Sequence, residues 1–405
     1  KRLKWPGQAA VVVSVVHVCK GELPGPFLLD GREVPVITAY LFHAGGHDAP
    51  ARLAGNEGKS FAGSFLLGMG FTFDDTDSKG VANPISLMKT LIEKDPRNAE
   101  RIYPYIGGEE VNEAPDQSPH RYAISFGEMT EEEAWRWPDL MRIVEEKVKP
   151  ERLKQNREAR ARHWWRHGEV APALYRAIDS MQRVLVTSYV SQHMGFTFLP
   201  TGMIYAITLA ILRFDTFAAF ATFQSRVHEI WTRFFGSTLE ERQRYTPTDC
   251  FEPFPFPPGF EANAALEQAG CAYYEFRAQL MQRENKGLTA IYNWFHDPEC
   301  ECPDIPKLRE LHDAMDRSVL DAYGWNDIQP RCEFIPEFDD EEEQDENGRP
   351  RRKKYRYRWP DDVRDEVLAR LLELNRQRAL EEGQVPAEPP VFAGTADPVP
   401  KKGGG

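Results

Sequence analysis

The chain has 405 residues, of which 41% are apolar and 28% charged, so it predicts a folded protein of two or three domains and excludes wholesale disorder. There are 50 basic and 63 acidic residues, and the net charge is −13. Taken as uniformly spread, this charge argues against nucleic-acid binding.

Cysteine usage and hydropathy exclude two further classes. Six cysteines imply no disulfide framework and fit a reducing cytoplasm. The longest apolar stretch, residues 199–223, is interrupted by Arg213 and Asp215, so it predicts a buried element rather than a membrane span. No signal-peptide cleavage pattern follows the N-terminus. We therefore expect a cytoplasmic protein without membrane contact, and the initial Lys1 suggests a piece of a longer chain.

The N-terminal residues predict strands that need partners. Residues 9–18 are mostly Val and predict a buried strand. Residues 27–42 predict a hairpin that turns at Asp30-Gly31. Because a two-stranded end piece is not stable alone, we expect these strands to complete a sheet whose other strands lie elsewhere.

Short strands and helices alternate in the next part of the chain. Strands are predicted over 60–73, at the start of 103–112 and over 121–126, and helices after Asn83-Pro84 and over 130–148. The helix over 130–148 begins at Thr130 as N-cap, with Glu133 completing a capping box. The aromatic strand end in 103–112 is followed by a Gly-Gly turn.

Residues 142–183 differ from the rest in charge. They hold eleven basic and six acidic residues, a net charge of +5, with Trp164 and Trp165 among them. Cations spaced along a helix neutralise phosphates, and planar aromatic side chains stack on bases. A solvated helix face with two buried tryptophans is an equal alternative. For the basic run at 349–358, pairing with the acidic run at 337–346 is the favoured interpretation.

The C-terminal half is apolar first and helical afterwards. Strands are predicted within 184–212, and helices over 217–235, 261–295, 304–323 and 360–382. The helix over 217–235 ends at Gly236, a natural C-cap. The Pro- and Gly-rich tail from 383 predicts disorder.

No pattern predicts a metal or catalytic centre. The candidate ligand sets are His43 with His47, His163 with His167, and His296 with Cys300, Cys302 and Cys332. His163 and His167 have a helical spacing suitable for two zinc ligands, but no Glu follows the first His, and a solvated or phosphate-facing pair is favoured. A loop is favoured for His43 with His47, and the third set fits no zinc-finger spacing well. Asp139 with Glu145-Glu146-Lys147 mimics a nuclease signature, but the gap is too short. We expect no metal.

Several strings, taken together, resemble one family. They are WPGQAAVVVSVVHV at 5–18, SFAGSFLLGMGF at 60–71, YPYIGGEEVN at 103–112, SPHRYAISFGEM at 118–129, VKPER at 148–152, ATFQSRVHEIWTRFFG at 221–236, RYTPTDCFEPFPFP at 244–257, LRELHDAMDRSVLDAYGW at 308–325 and VLARLLELNRQRALEE at 367–382. In this order they resemble the C-terminal half of large bacterial adenine-specific DNA methyltransferases. That group includes MmeI-like restriction–modification enzymes and the methyltransferases of DISARM-type phage-defence systems.

The resemblance implies an α+β or mixed α/β fold in consecutive parts. These are the last strands of a Rossmann-like methyltransferase sheet (1–43), a DNA target recognition domain (44–257), a helical region (258–330), a charged linker (331–359), a C-terminal helix (360–382) and a disordered tail (383–405). The family's S-adenosylmethionine loop and Asn-Pro-Pro-aromatic motif are absent from this sequence; Asn83-Pro84 is followed by Ile85. We expect both upstream, so the intact protein uses S-adenosylmethionine, whereas this chain alone binds no cofactor and is inactive.

The candidate DNA-binding residues combine the charge pattern with the resemblance. They are Lys149, Arg152, Arg157 and Arg183 on phosphates, Arg121 on backbone or base, Tyr105 with Gly107 and Gly108 at a close-approach turn, Trp164 and Trp165 in the basic stretch, and Ser225, Arg226 and His228 at a DNA-proximal helix. The alternatives are surface solvation, an ordinary hairpin and core packing. Trp5 is a candidate for stacking on a flipped base, although a structural role is favoured.

The leading hypothesis is sequence-specific recognition of double-stranded DNA within an adenine-specific methyltransferase of a restriction–modification or phage-defence system. The expected partners are DNA and an N-terminal methyltransferase half, in the same or a separate chain, with other defence subunits as further candidates. The alternative is a non-catalytic scaffold in a multi-subunit defence complex, in which the basic stretch binds acidic protein. The net charge is a poor guide here, because it averages the basic residues 142–183 with the acidic run at 337–346.

Overall fold

The computed structural model describes residues 25–29, 31–44, 49–239, 242–337 and 354–384, and the backbone of 3–4 and 12–13. The predictions for Trp5, for most of the strand at 9–18, for His47, for most of the acidic run and for nearly all of the tail lie outside these residues. The chain divides into two compact units, Lys1–Ala51 with Ala369–Gly405, and Arg52–Leu368. The predicted boundaries after residues 43 and 257 stay predictions.

The strands are β1 (Leu3–Lys4), β2 (Val12–Val13), β3 (Phe27–Leu29), β4 (Arg32–Val34), β5 (Ser60–Ala62), β6 (Thr72–Phe73), β7 (Ile102–Ile106), β8 (Arg121–Ile124), β9 (Arg183–Ser188), β10 (Val190–Ser191), β11 (Phe196–Pro200), β12 (Ile204–Tyr205), β13 (Leu209–Leu212), β14 (Thr238–Leu239), β15 (Arg242–Arg244), β16 (Glu333–Pro336) and β17 (Tyr355–Arg358). The helices are α1 (Ile85–Lys94), α2 (Gly108–Glu113), α3 (Glu131–Ala134), α4 (Pro138–Lys147), α5 (Lys149–Arg152), α6 (Glu158–Arg162), α7 (Pro172–Ile178), α8 (Phe217–Gln224), α9 (Arg226–Phe235), α10 (Ala264–Glu284), α11 (Leu288–His296), α12 (Ile305–Ala322) and α13 (Asp361–Glu381).

The first unit contains the predicted hairpin. β3 and β4 pair antiparallel with Leu29 opposite Arg32, and Gly31 in the turn has a positive φ of 80°. The hairpin predicted over residues 27–42 is therefore confirmed for 27–34 only, since residues 35–42 form no strand. In the same unit, the Asn375 side chain bonds both the N–H and the C=O of Ala51, at 2.9 and 2.8 Å.

The second unit is built on two four-stranded sheets. Their strand orders are β12-β7-β8-β6 and β11-β9-β13-β5, and within them only the β12–β7 pair is parallel. The chain passes between these two sheets four times, through residues 63–71, 125–182, 201–203 and 206–208. The first and the last of these connections are called the crossings below. The crossings touch at Gly63, where a Cβ would lie 2.1 Å from the Ala206 carbonyl oxygen, so only glycine fits there.

The predicted helix over 130–148 is two helices. Thr130 caps α3, and its capping box with Glu133 is confirmed. The helix then stops, because Pro138 lacks an N–H and holds Trp137 outside helical geometry, with ψ of 72°. α4 restarts at Pro138.

Two other long helices predicted from periodicity are also divided. The helix over 217–235 breaks at Ser225, which has extended backbone and accepts a hydrogen bond from His228 N as the N-cap of α9. The helix over 261–295 breaks at Asn285, which has a left-handed φ of 50°. The predicted end at Gly236 is confirmed.

The fold class is confirmed as mixed α+β with a helical C-terminal region. α12 and α13 lie where the sequence predicts them, as do the strands from β9 to β13. β16 pairs with β17, and Arg356 forms an ion pair with Glu337 at 2.6 Å, as the favoured interpretation of the two charged runs expects. None of the described helices combines the length and apolar character that a bilayer crossing requires.

Candidate nucleic-acid interface

A cleft of about 1230 Å³ lies where the two sheets of the second unit meet. Both crossings between the sheets contribute to its lining, as do the end of β7, the start of α2 and the end of β9. Four predicted DNA-binding residues line it: Tyr105, Gly107, Gly108 and Arg121. The structure therefore brings this part of the predicted set together.

The glycine pair, predicted as a close-approach turn with an ordinary hairpin as the alternative, is a strand-to-helix junction. Gly107 caps α2, and its N–H donates to Glu110 Oε2 at 3.0 Å. Gly108 N donates to Thr208 Oγ1 at 3.1 Å, and a Cβ on Gly108 would lie 3.1 Å from Ser188 Oγ. Glycine thus lets α2 approach the end of β9 closely, so the close approach is made to protein.

Arg121 stands beside Tyr105 on the neighbouring strand. The two residues are register partners in the β7–β8 pair, and the guanidinium lies 5.0 Å from the Tyr105 ring centroid. Glu110, which is 2% exposed, accepts from Arg121 Nε at 2.7 Å. Burial raises the pKa of the Tyr105 hydroxyl, so this side chain stays a neutral donor and acceptor.

The sequence analysis does not predict the far wall of the cleft, to which Arg244 belongs. β10 pairs with β15 there, with Val190 opposite Arg244, and Arg244 lines the cleft. Arg242 and Arg244 are exposed and alternate with the buried Gln243; neither forms an ion pair with any described residue. The alternation of Arg-Gln-Arg after Gly236 was the available signal, since period two marks a half-buried strand.

The rim carries mixed charge and apolar side chains. The charged lining residues are Arg121, Arg244, Glu109 and Glu113. Met69 and Ile207 also line the cleft and are 39% and 41% exposed. The cleft thus offers donors, acceptors and apolar surface together.

Arg152, Trp164 and Trp165 lie in the core, which corrects their prediction as DNA contacts. Arg152 is fully buried and its Nη2 donates to the carbonyl oxygens of Leu66 and Arg166, both at 2.9 Å. Burial and Arg160 lower the pKa of Arg152 to about 10. The tryptophans are 4% and 6% exposed. The alternative of two buried tryptophans therefore applies, whereas the burial of Arg152 contradicts both the phosphate contact and the alternative of surface solvation.

The three other cations predicted to contact phosphates differ in whether their charged groups are already bound within the protein. Lys149 pairs with Glu145 at 2.7 Å and lies over Trp164. Arg183 donates from Nε and Nη2 to the Asp215 carbonyl oxygen and stacks against Phe198. Arg157 is exposed and forms no ion pair within the described residues. Of the three, Arg157 is the cation most open to a phosphate.

Ser225, Arg226 and His228 are core residues, so their assignment as DNA-proximal is also corrected. Ser225 and His228 are fully buried and Arg226 is 2% exposed. Arg226 pairs with Asp316 at 2.5 Å. Burial lowers the pKa of His228 to about 3, so its ring is neutral.

Three of the candidate metal ligands, His167, His296 and Cys332, contact other protein groups. His167 Nε2 bonds the Ile124 carbonyl oxygen at 2.8 Å, and burial lowers its pKa to about 4. His296 Nδ1 accepts from Tyr357 N, and Cys332 contacts Asp313. Among the described residues, Glu284, Cys302 and Asp304 lie within 4.8 Å of one another, but Asp304 is already bonded to Arg283.

The comparisons with known proteins concern the region that contains most of the cleft. Residues 77–258 match the family model of the MmeI target recognition domain. Because of this similarity, residues 77–258 are called the MmeI-like region below. A solved structure of the Type IIL restriction–modification enzyme MmeI in complex with DNA has the same fold, with a TM-score of 0.58 and 17% identity. The match covers 86% of this chain and 39% of that one, so this chain spans about two fifths of its length. No curated protein matches.

The MmeI-like region includes the main polar features of the cleft. Tyr105, the Gly107–Gly108 junction, Arg121 and Arg244 all lie within residues 77–258. Met69 and the first crossing between the sheets precede the matched range. The cleft is therefore formed by the MmeI-like region together with the strand segment before it.

Proposed function

We propose that this chain recognises a specific sequence of duplex DNA, as the target-recognition part of a restriction–modification enzyme. The observation that carries the proposal is the cleft in the MmeI-like region, lined by Tyr105, Arg121 and Arg244. The similar MmeI structure is that of an enzyme in complex with DNA, which makes DNA the first ligand to test.

The mixed polarity of the cleft suits contacts with base edges. The major groove presents acceptors on guanine, a donor on cytosine and a methyl group on thymine. Arginine can donate to the guanine acceptors, and a carboxylate such as Glu109 can accept from the cytosine donor. Met69 or Ile207 can contact the thymine methyl group. A surface that binds only phosphates would need no carboxylates.

Exposed cations outside the cleft are the proposed phosphate contacts. Arg157, Lys154 and Arg242 are exposed, and none forms an ion pair within the described residues. Phosphate contacts fix the register of a protein on DNA without carrying sequence information. We therefore divide the roles between these cations and the cleft.

The finer proposal is that the intact protein is an S-adenosylmethionine-dependent, adenine-specific DNA methyltransferase of a restriction or phage-defence system. The glycine pair does not fit a cofactor loop, because the N–H groups of Gly107 and Gly108 already donate to Glu110 and Thr208. We propose that the cofactor site and the catalytic motif belong to an N-terminal methyltransferase half, in the same or a separate chain, which is the expected partner.

Arg244→Ala is expected to weaken binding of the selected duplex by roughly 10- to 100-fold, because it removes a base-edge donor from the cleft.

Arg157→Ala is expected to reduce the slope of log K against log salt concentration by about one, because one phosphate contact is lost. It should weaken the binding of all duplexes by the same factor. Affinity is measured by fluorescence anisotropy with the 405-residue chain, starting at roughly 50 mM salt.

Lys307→Ala is the control, since Lys307 is exposed on α12, outside residues 77–258, and pairs with Glu310. It should leave both affinity and salt dependence unchanged. Equal losses for Lys307→Ala and Arg244→Ala would contradict the role of the cleft. Binding of an acidic partner protein without any duplex binding would favour the scaffold alternative.

A further inference from the structure

We infer that Arg121 reads a guanine through the outer edge of its guanidinium, with Glu110 as the residue that positions it. This inference rests on the proposed function and names the base pair class that the cleft selects. It requires three features. The inner edge of the guanidinium, formed by Nε and Nη2, must be fixed; the outer edge, formed by Nη1 and Nη2, must be unoccupied; and the surroundings must disfavour a phosphate.

The inner edge of Arg121 is fixed by one carboxylate oxygen. Glu110 Oε1 lies 2.7 Å from Nε and 2.5 Å from Nη2 of Arg121. These two nitrogens form the side edge of the guanidinium plane. The Tyr105 ring, 5.0 Å from the guanidinium carbon, packs against the same group. The plane of the guanidinium is therefore set before any ligand binds.

Glu110 is itself held by the fold. Its side chain is 2% exposed, and its second oxygen, Oε2, accepts from Gly107 N at 3.0 Å. Because Gly107 caps α2, the carboxylate is anchored to the strand-to-helix junction that lines the cleft. His120 Nδ1 approaches the other oxygen, Oε1, at 3.5 Å. A positioning residue needs this kind of support, since a loosely held partner would not fix the arginine.

The outer edge of Arg121 remains for a ligand. Nη1 has no hydrogen-bond partner among the described residues, and Nη2 keeps one of its two hydrogens. The side chain is 17% exposed and lines the cleft. Two parallel N–H groups on a guanidinium match the O6 and N7 acceptors of guanine, which is the commonest specific contact of arginine in the major groove.

The surroundings disfavour a phosphate at the same position. Glu110 already neutralises the charge of Arg121, and Glu109 and Glu113 line the same cleft. The negative charge of a phosphate would be repelled by these carboxylates, whereas a neutral guanine edge would not be. The directional hydrogen bonds of the outer edge are thus better used on a base than on the DNA backbone.

The test compares the sites that the 405-residue chain and its Arg121→Lys variant select from a randomised duplex library. Lysine keeps the charge but lacks the planar fork. We expect the wild type to select a site with at least one fixed G·C pair, and the variant to lose its preference at one such pair by roughly 10- to 100-fold. The other positions and the salt dependence should stay the same. Glu110→Gln should keep the preferred base but weaken its selection.

Arg166→Gln is the matched control. Its Nε and Nη2 are also held, by the carbonyl oxygens of Met129 and Glu128, but it does not line the cleft. It should leave every base preference unchanged. A uniform loss of affinity in Arg121→Lys, with all preferences retained, would overturn the inference while leaving the proposed function intact. Failure of the wild type to select any site would overturn the proposed function itself.

Discussion

Replacing Asp316 by alanine is expected to lower the free energy of unfolding by roughly 3–5 kcal/mol, because it leaves a buried arginine without its main counter-charge. Asp316 on α12 is 1% exposed and accepts from Arg226 twice, from Nη1 at 2.5 Å and from the backbone N at 2.8 Å. Burial acts to lower the pKa of Arg226, but Asp316 and its neighbours raise it above the usual value, so the charge persists in the folded state.

Asp321→Ala is the matched control for this prediction. Asp321 lies on the same helix and pairs with Arg317 at 2.8 Å, but it is 53% exposed. Such surface pairs contribute at most about 1 kcal/mol. Urea unfolding followed by tryptophan fluorescence should show a large shift of the midpoint for Asp316→Ala alone, at an unchanged slope. Similar shifts for the two variants would contradict the assignment of Arg226 to the core.

A double replacement distinguishes the destabilisation caused by an unpaired buried charge from the net contribution of the ion pair to stability. Arg226→Met combined with Asp316→Leu removes both charges and fills the space with apolar atoms. It is expected to recover most of the stability that Asp316→Ala loses. Arg226 was predicted from sequence to lie near DNA, and in that case the double variant would lose DNA binding while remaining folded.

Acidification from pH 7 to pH 5 is expected to destabilise the chain by about 2 kcal/mol for each of three buried histidines. Burial lowers the pKa of His167 and His193 to about 4 and that of His228 to about 3. An unfolded histidine titrates at the ordinary value of 6.5. Below this value the unfolded chain binds protons that the folded chain does not. The stability is therefore fully present above pH 6.5 and falls as the pH drops towards 4.

His228→Phe tests this pH dependence at one site. The His228 ring lies among Phe196, Phe223, Phe254 and Phe256, so phenylalanine fits its surroundings. The proton uptake on unfolding at pH 5, obtained from the pH dependence of urea unfolding, should fall by about one proton. An uptake that is unaffected by His228→Phe would show that its ring is already protonated in the folded chain.

The local elements could be predicted from the sequence because their signals are local. Alternation gave β8, and the capping box gave the start of α3 at Thr130. Helix breaks were missed where periodicity continues through them. At Ser225 the apolar spacing runs on, and only the N-cap geometry of its side chain ends one helix and begins another.

Part of the candidate site could be predicted from the sequence, and the rest could not because it depends on strand pairing between distant residues. Tyr105 and Arg121 were found because they flank recognisable strands, whereas Arg244 depends on the pairing of β15 with β10, about fifty residues away in sequence. Charge alone misassigned Arg152, since sequence does not reveal the two carbonyl groups that bind it. A cation in a basic stretch can equally be a buried anchor.

We propose above that the cleft of the MmeI-like region reads a DNA sequence. Selection from a randomised duplex library by the 405-residue chain, at roughly 50 mM salt, tests it most directly. We predict the enrichment of a single motif, and we predict that Arg244→Ala changes the enrichment whereas Lys307→Ala does not. Absence of any enriched motif, or the same motif at the same strength with Arg244→Ala, would contradict it.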